Sequence, residues 1–258
     1  DIRGDNFAAS NKDKAIRLMD GRTCAETAKI AKAHEGAKSM KLQYMGESGK
    51  LLSTGASKQS GREIKIWDLK NLSQPLHTEA VDTASGALIP LYDQDTSVLY
   101  LCGKGDGIIR IYEFEDKAPF IHKLNDGFRS TTPGKGYCMA PKRGLDIMDC
   151  ETARIMKITN SAGMHPLKFI VPRKSDAFQE DIFPDCPSST PAHTCMEWKE
   201  GSTKLPVTMS LNPKNTGGAK AAPKKVFKTV PVLTKEVDDL KKRVEYLEGK
   251  LSEAGVSY

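Results

Sequence analysis

The 258-residue chain lacks long apolar stretches and closely spaced cysteines. No run approaches the roughly 18 apolar residues that a membrane helix needs, and no secretory signal opens the sequence. Its six cysteines include no C-x-x-C pair, and a disulfide framework is typical of short secreted chains. We therefore expect reduced thiols in the cytosol, most of them small core residues.

The sequence also lacks the motifs of common catalytic and cofactor sites. It contains no G-x-x-x-x-G-K-[ST] phosphate loop and no G-x-S-x-G elbow. Cys186, His193 and Cys195 come nearest to a metal-binding set, but their spacing does not match paired zinc ligands. We predict no enzyme activity, no cofactor and no metal.

Acidic residues are absent from one lysine-rich stretch. Residues 214–235 hold six lysines and no Asp or Glu, so this stretch alone carries a charge equal to the net charge of the chain, +6. Gly217-Gly218 and two prolines indicate a flexible basic linker over residues 213–233. This placement argues against a nucleic-acid-binding domain, which would carry its charge on a folded face.

The linker lysines have three interpretations. They could form a solvated spacer, attract an acidic polymer, or attract an anionic lipid surface at about 1 kcal/mol per lysine. The candidate electrostatic contact consists of Lys220, Lys224, Lys225 and Lys228.

A repeated pair of strands fills residues 1–163. Each copy has an alternating apolar segment, a turn rich in Gly, Lys and Asp, and a second strand ending in a hydrophobic-acidic pair. The predicted strand pairs are 7–10 with 15–20, 50–55 with 63–68, 98–103 with 108–113, and 136–141 with 145–149. The terminal pairs recur at roughly 36–48 residues, near the ~40–45 of a WD repeat.

This pattern predicts an all-β propeller, with an open β-sandwich as the alternative. Trp67-Asp68 is the one literal WD signature, and His34-Glu35-Gly36 is the nearest substitute for its Gly-His half. Asp13 and Asp106 lie in the predicted turns, where we expect them to accept structural hydrogen bonds.

Two further segments follow the repeats. The alternation ends near Met164, and residues 164–212 contain several prolines, which predicts an extended arm packed on the propeller. Residues 234–255 then form a predicted coiled coil, with Val237, Val244 and Leu251 at a positions and leucines at d positions. Complementary charges at g and e positions favour parallel helices, and Val at a with Leu at d favours two strands.

Three stretches resemble the coronin family. They are residues 99–106 (LYLCGKGD), residues 141–145 (PKRGL) and residues 171–181 (VPRKSDAFQED). The resemblance covers the chain up to residue 212, and a basic linker and a terminal coil follow in the order typical of coronins. The sequence is identified as a member of that family.

The resemblance implies a seven-bladed WD-repeat propeller that binds filamentous actin. About the last four blades are present over residues 1–163, and the chain begins inside a strand of the fourth. The absent blades carry surface positions that the family uses for actin contact, so none is transferred to this chain. Because a partial propeller exposes unpaired strand edges, we expect the sequence to be a portion of a longer molecule.

The expected function is an oligomeric actin-filament-binding scaffold that bundles or organises the cytoplasmic actin cytoskeleton and the cell cortex. The alternative is a general WD-propeller adaptor that assembles another protein complex. Residues 243–248 (RVEYLE) resemble the R-h-x-x-h-E pattern of three-stranded coils in this family. This implies a parallel homotrimer, with a dimer or an antiparallel coil as the alternative. The predicted oligomerisation residues are Val237, Leu240, Arg243, Val244, Leu247, Glu248 and Leu251.

Overall fold

The computed structural model describes residues 1–125, 127–161, 163–215 and 241–244. The chain divides into two units, Asp1–Thr216 and Gly217–Tyr258. In the first unit, one short helix, α1, spans Cys195–Lys199, and two 3-10 turns precede it at Lys142–Gly144 and Ile147–Asp149. The strands are β1 (Asn6–Ser10), β2 (Ile16–Asp20), β3 (Glu26–Ile30), β4 (Lys41–Tyr44), β5 (Lys50–Ala56), β6 (Arg62–Asp68), β7 (His77–Asp82), β8 (Leu88–Asp93), β9 (Val98–Gly103), β10 (Ile108–Phe114), β11 (Ile121–Lys123), β12 (Phe128–Arg129), β13 (Gly134–Met139), β14 (Glu151–Thr159), β15 (Met164–Ile170), β16 (Cys186–Pro187) and β17 (Thr208–Met209).

The strands form four successive antiparallel sheets in chain order. The first sheet is β1-β2-β3, the second is β4-β5-β6-β7, the third is β8-β9-β10-β11, and the fourth is β13-β14-β15. The short β12 also pairs with β10, and β16 pairs with β17 as a separate ribbon. Every pairing within the sheets is antiparallel, as expected for strands joined by short connections.

Alternating apolar residues pack each sheet onto the next. In β6, the side chains of Ile64 and Ile66 are fully buried, while Glu63 and Lys65, which alternate with them, are partly exposed. Ile64 packs in one cluster with Leu101 of the third sheet, and Trp67 packs in another with Ile16 of the first sheet. Burial of each such aliphatic side chain contributes about 1.5–3 kcal/mol to the free energy of unfolding. Both faces of the second sheet are therefore covered by its neighbours, as in the blades of a propeller.

Three of the four predicted strand pairs are confirmed. They correspond to β1 with β2, β5 with β6, and β9 with β10, with bounds within one or two residues of the prediction. The turn at residues 104–107 closes the third hairpin, and Asp106 accepts a hydrogen bond from the backbone of Ile108 at 3.0 Å. Asp13 accepts a bond of the same kind from Ala15 at 3.0 Å. The structural role predicted for both aspartates is confirmed.

The prediction for the fourth pair is wrong in its second strand. Residues 145 and 146 connect the two 3-10 turns, and residues 147–149 form the second turn. The partner of β13 is β14, which begins six residues after Leu145. Cys150 has a left-handed backbone (φ 54°), which ends the second turn and starts β14. The apolar alternation of Ala153 and Ile155, both fully buried, marks the real strand.

The start predicted for the arm also differs from the structure. Met164–Ile170 is strand β15, which pairs with β14 along its whole length, so the extended segment begins after Ile170. Pro166 is tolerated because β15 pairs on one side only among the described residues, and its missing N–H removes no ladder bond there. We call residues 171–215 the arm below.

The connections between strands lie at two opposite ends of the sheets, because alternate connections of an antiparallel meander do so. We call these ends the upper face and the lower face. The upper face consists of residues 11–15, 31–40, 57–61, 83–87, 104–107, 130–133 and 160–163, of which Ala162 lies outside the described residues. The lower face consists of residues 21–25, 45–49, 69–76, 94–97, 115–120 and 140–150, together with the arm that follows β15.

Candidate interaction surfaces

Hydrogen bonds tie the upper face together from sheet to sheet. The backbone N–H of Gly36 donates to Ala56 at 2.7 Å, and that of Gly105 donates to Gly134 at 2.8 Å. Lysine ammonium groups add bonds to carbonyl oxygens, such as that from Lys38 to Ala84 at 2.8 Å. The upper face is therefore a continuous, hydrogen-bonded surface across the four sheets.

A buried arginine cross-links the second and third sheets just beneath this surface. Arg62 in β6 is 1% exposed, and its guanidinium binds both oxygens of Asp82 at 2.6 and 2.7 Å. The same group donates to Asp106 of the β9–β10 turn at 2.8 Å, and Arg110 also pairs with Asp82. Burial disfavours the charge of Arg62, but the bonds to Asp82 and Asp106 outweigh it and raise its pKa. These aspartates are thus neutralised by arginines rather than free to bind a partner.

A second network identifies the histidine of the WD-type repeat. His34 is buried, and its ring nitrogens lie 2.8 Å from Ser53 Oγ and 2.8 Å from a carboxylate oxygen of Glu63. The indole of Trp67 donates to the same Ser53 oxygen at 2.9 Å. A Cβ at Gly55 would lie 2.2 Å from the His34 ring, so the ring requires glycine there. Burial lowers the pKa of His34, while hydrogen bonding to Glu63 opposes that shift.

The lower face is organised by the arm. Arg22, in the β2–β3 connection, donates to the backbone oxygens of Trp198 and Ser202 at 2.7 Å each. The Arg22 guanidinium also lies 5.1 Å from the centre of the Trp198 ring and pairs with Asp5 at 2.8 Å. The arm follows the fourth sheet in the chain, and these contacts of Arg22 fasten it to the first sheet.

The same arm also packs against the β13–β14 connection. Phe183, Cys186 and Leu211 form a small buried cluster with Ile147 of the β13–β14 connection. Nearby, Lys142 binds Asp93 at 2.6 Å and lies 3.6 Å from Asp95. Burial raises the pKa of Asp95 although Lys142 opposes that shift. A shallow groove of about 490 Å³ between Met45, Tyr92, Phe114 and Pro184 opens beside these residues.

The structure separates the three residues of the candidate metal set. Cys186 is buried with Phe183, Cys195 is exposed at the start of α1, and the His193 ring lies 3.3 Å from the hydroxyl of Ser202. Within residues 1–125, 127–161, 163–215 and 241–244, no cluster of three or more His, Cys, Asp or Glu could hold a metal. All six cysteines lie in these ranges and are unpaired. No helix of the described part is long and apolar enough to cross a membrane.

Most of the predicted interaction residues lie outside the described residues. These are the linker lysines Lys220, Lys224, Lys225 and Lys228, and the coil positions Val237, Leu240, Leu247, Glu248 and Leu251. Arg243 and Val244 lie in a helical turn over residues 241–244, the described part of the second unit, with exposed side chains. The trimer, the dimer and the linker contact therefore stay predictions.

Comparisons with known proteins agree with this architecture. A profile of a type of WD40 repeat matches residues 164–206. The chain is 40% identical to Coronin-A of Dictyostelium discoideum over 96% of its own length and 56% of that protein, and 42% identical to human Coronin-2A over 81% and 40%. The crystal structure of the WD40 domain of a Toxoplasma gondii coronin superposes with a TM-score of 0.77 at 34% identity, covering 83% of this chain and 55% of that one.

The radial packing of sheets and the Trp67–Ser53–His34 network define a WD-repeat β-propeller protein. The chain spans about half the length of the curated relatives that it matches. With 40–42% identity to two coronins and a coronin WD40 domain as structural neighbour, the chain belongs to the coronin family.

Proposed function

We propose that the protein is an oligomeric scaffold that binds actin filaments and bundles or organises them, without catalysis. The observation that supports this most is membership of the coronin family over 96% of the chain. The fold suits the role, because each sheet is held by its neighbours and presents rigid connections on two faces. The cytoplasmic actin cytoskeleton and the cell cortex are the proposed locations.

Three parts share the work in this proposal. A seven-bladed propeller, to which residues 1–170 contribute, holds the filament, and the arm fastens its lower face. The linker lysines Lys220, Lys224, Lys225 and Lys228 add a salt-sensitive attraction to the acidic filament. A parallel homotrimeric coil over residues 234–255 multiplies the propellers.

Actin co-sedimentation of the full chain tests the proposal most simply. We expect the chain to pellet with filaments and less of it to pellet as ionic strength rises, because screening weakens charge contacts beyond about 8–10 Å. A chain that stays in the supernatant with filaments at low salt would favour the alternative, a general propeller adaptor for another complex.

Deletion of residues 234–258 tests the scaffold part of the proposal. Linked sites can gain about 10²–10⁴ in apparent affinity without new contacts, so the deletion should weaken filament binding and abolish bundling. Sedimentation equilibrium of the full chain should give a three-chain mass that the deletion reduces to one. Unchanged bundling by the deletion variant would show that the coil serves another purpose.

A further inference from the structure

The upper face differs in charge from the connections of the lower face. Its connections carry six lysines and three acidic residues, namely Lys12, Lys14, Lys32, Lys38, Lys58, Lys104, Asp13, Glu35 and Asp106. The connections of the lower face carry five basic and six acidic residues, namely Arg22, Lys70, Lys117, Lys142, Arg143, Glu47, Asp95, Glu115, Asp116, Asp146 and Asp149. Of these two sets of connections, only the one on the upper face therefore has an excess of positive charge.

The carboxylates of the upper face are mostly occupied. Asp13 binds the guanidinium of Arg17, and that ion pair, together with the backbone N–H of Ala15, holds the pKa of Asp13 at about 2. Asp106 binds Arg62 and the backbone of Ile108. Of the three acidic residues, Glu35 alone has a carboxylate without a bonded partner in the described part of the chain.

The lysines divide into two kinds. The ammonium groups of Lys14 and Lys38 are used internally, on the carbonyl oxygens of Glu35, Ser60 and Ala84. Four others are exposed, and their ammonium groups have neither a hydrogen bond nor an ion pair with any described residue. They are Lys12, Lys32, Lys58 and Lys104.

The four free lysines occupy the tips of connections in three successive sheets. Lys12 lies in the β1–β2 turn, Lys32 between β3 and β4, Lys58 in the β5–β6 turn and Lys104 in the β9–β10 turn. Because these connections are hydrogen-bonded to their neighbours, the backbone that carries the four lysines is rigid and loses little freedom when a partner binds. An extended acidic surface is the complementary partner.

We propose that the upper face of the first three sheets is a docking surface for an acidic protein filament, with Lys12, Lys32, Lys58 and Lys104 as its contacts. The identity of the filament as actin rests on the proposed function, while the choice of face rests on the charge pattern alone. The lysines act through paired carboxylates on the partner, and the effect is strongest at low salt.

Two charge-matched quadruple variants test this surface. The first replaces the four free lysines with glutamine, and the control replaces the exposed lower-face residues Lys70, Lys117, Lys174 and Lys199 in the same way. Both variants keep the linker and the coil and lose the same net charge. Since none of the four upper lysines has an internal partner, the melting temperature of the first variant should match the wild type.

Co-sedimentation with filaments and fluorescence anisotropy with a labelled polyglutamate peptide are the two readouts. At low salt, the variant without the four free lysines should bind filaments and polyglutamate on the order of tenfold more weakly than the wild type. Its affinity should also depend less on salt. The affinity of the lower-face control should stay near that of the wild type. If the wild type binds polyglutamate but not filaments, and the variant without the four free lysines binds neither, the result would support the docking surface and contradict the assignment of its partner as actin. Equal binding by the two variants, or a larger loss in the lower one, would overturn the surface itself.

Discussion

Neighbouring sheets are connected to one another in different ways at the upper face and at the lower face. On the upper face, backbone bonds and the buried Arg62 connect neighbouring sheets directly, and the arm takes no part in any contact described there. On the lower face, the arm runs from the fourth sheet to Arg22 of the first and covers Ile147 on its way. The comparison indicates that the upper face stays rigid by itself and leaves its tips free for a partner, whereas the lower face is largely used for holding the fold.

The largest expected effect comes from removing the upper cross-link. Arg62→Met leaves Asp106 without its arginine, and loss of one partner of a buried ion pair costs about 3–5 kcal/mol. Asp82 retains Arg110, so we expect the free energy of unfolding to fall by the lower figure, about 3 kcal/mol. Urea denaturation of the full chain measures this directly.

Arg17→Met is the control for that change, because the Arg17–Asp13 pair is also on the upper side but is more exposed. It should lower the free energy of unfolding far less than Arg62→Met, because water and salt screen an exposed ion pair. Equal losses for the two variants would mean that Arg62 does not link the second and third sheets in the way described.

Removal of Trp198, which anchors the arm to the lower face, should lower the free energy of unfolding by a smaller amount. Trp198→Ala removes the ring beneath Arg22 but keeps the two backbone acceptors, so about 1–2 kcal/mol should be lost. Limited proteolysis should then cut the arm faster than in the wild type, while the hairpin at residues 104–107 keeps its resistance. Met196→Ala, an exposed neighbour in α1, is the control and should change neither. Faster cutting of both regions at once would show that the faces are not independent.

The extent to which sequence predicts this arrangement differs between backbone and charge. The three hairpins with strict alternation were predictable, because period-two burial is a local property. The sequence Leu145-Asp146-Ile147-Met148-Asp149 predicts a strand because it also ends in a hydrophobic-acidic pair. In the structure it instead lies between Pro141, which starts the first 3-10 turn, and the left-handed Cys150, which ends the second. The alternation of residues 151–159 was an available signal for the true strand.

The charge pattern of the upper face could not be predicted. Lys12 and Lys14 are two residues apart, yet only Lys14 reaches a carbonyl oxygen of the β3–β4 connection. Which lysine stays free depends on the distance between sheets, which sequence spacing does not contain. The role of His34 is closer to what the sequence predicts, since its tripeptide is the nearest substitute for the Gly-His signature; its contacts with Ser53 and Glu63 are seen only in the structure.

The smallest expected effect is a dependence of stability on pH through His34. Its pKa is lowered by burial in the folded chain, so the unfolded chain binds the proton first as pH falls. The stabilising contribution is complete above the unfolded pKa of about 6.5 and is lost as pH falls through the folded pKa. Denaturation at pH 7.5 and pH 5.5 should show this loss in the wild type. His34→Gln should remove that part of the pH dependence and the exposed His165→Gln should retain it; an identical slope in all three would contradict the assignment.

Carbodiimide cross-linking of the full chain to actin filaments, read by mass spectrometry, tests the central claim most directly. The reagent joins lysine ammonium groups to carboxylates that are already in contact, so it reports which face meets the filament. The account predicts cross-links at Lys12, Lys32, Lys58 and Lys104, suppressed as ionic strength rises. Cross-links confined to Lys70, Lys117, Lys174 and Lys199, or to the linker lysines alone, would contradict it.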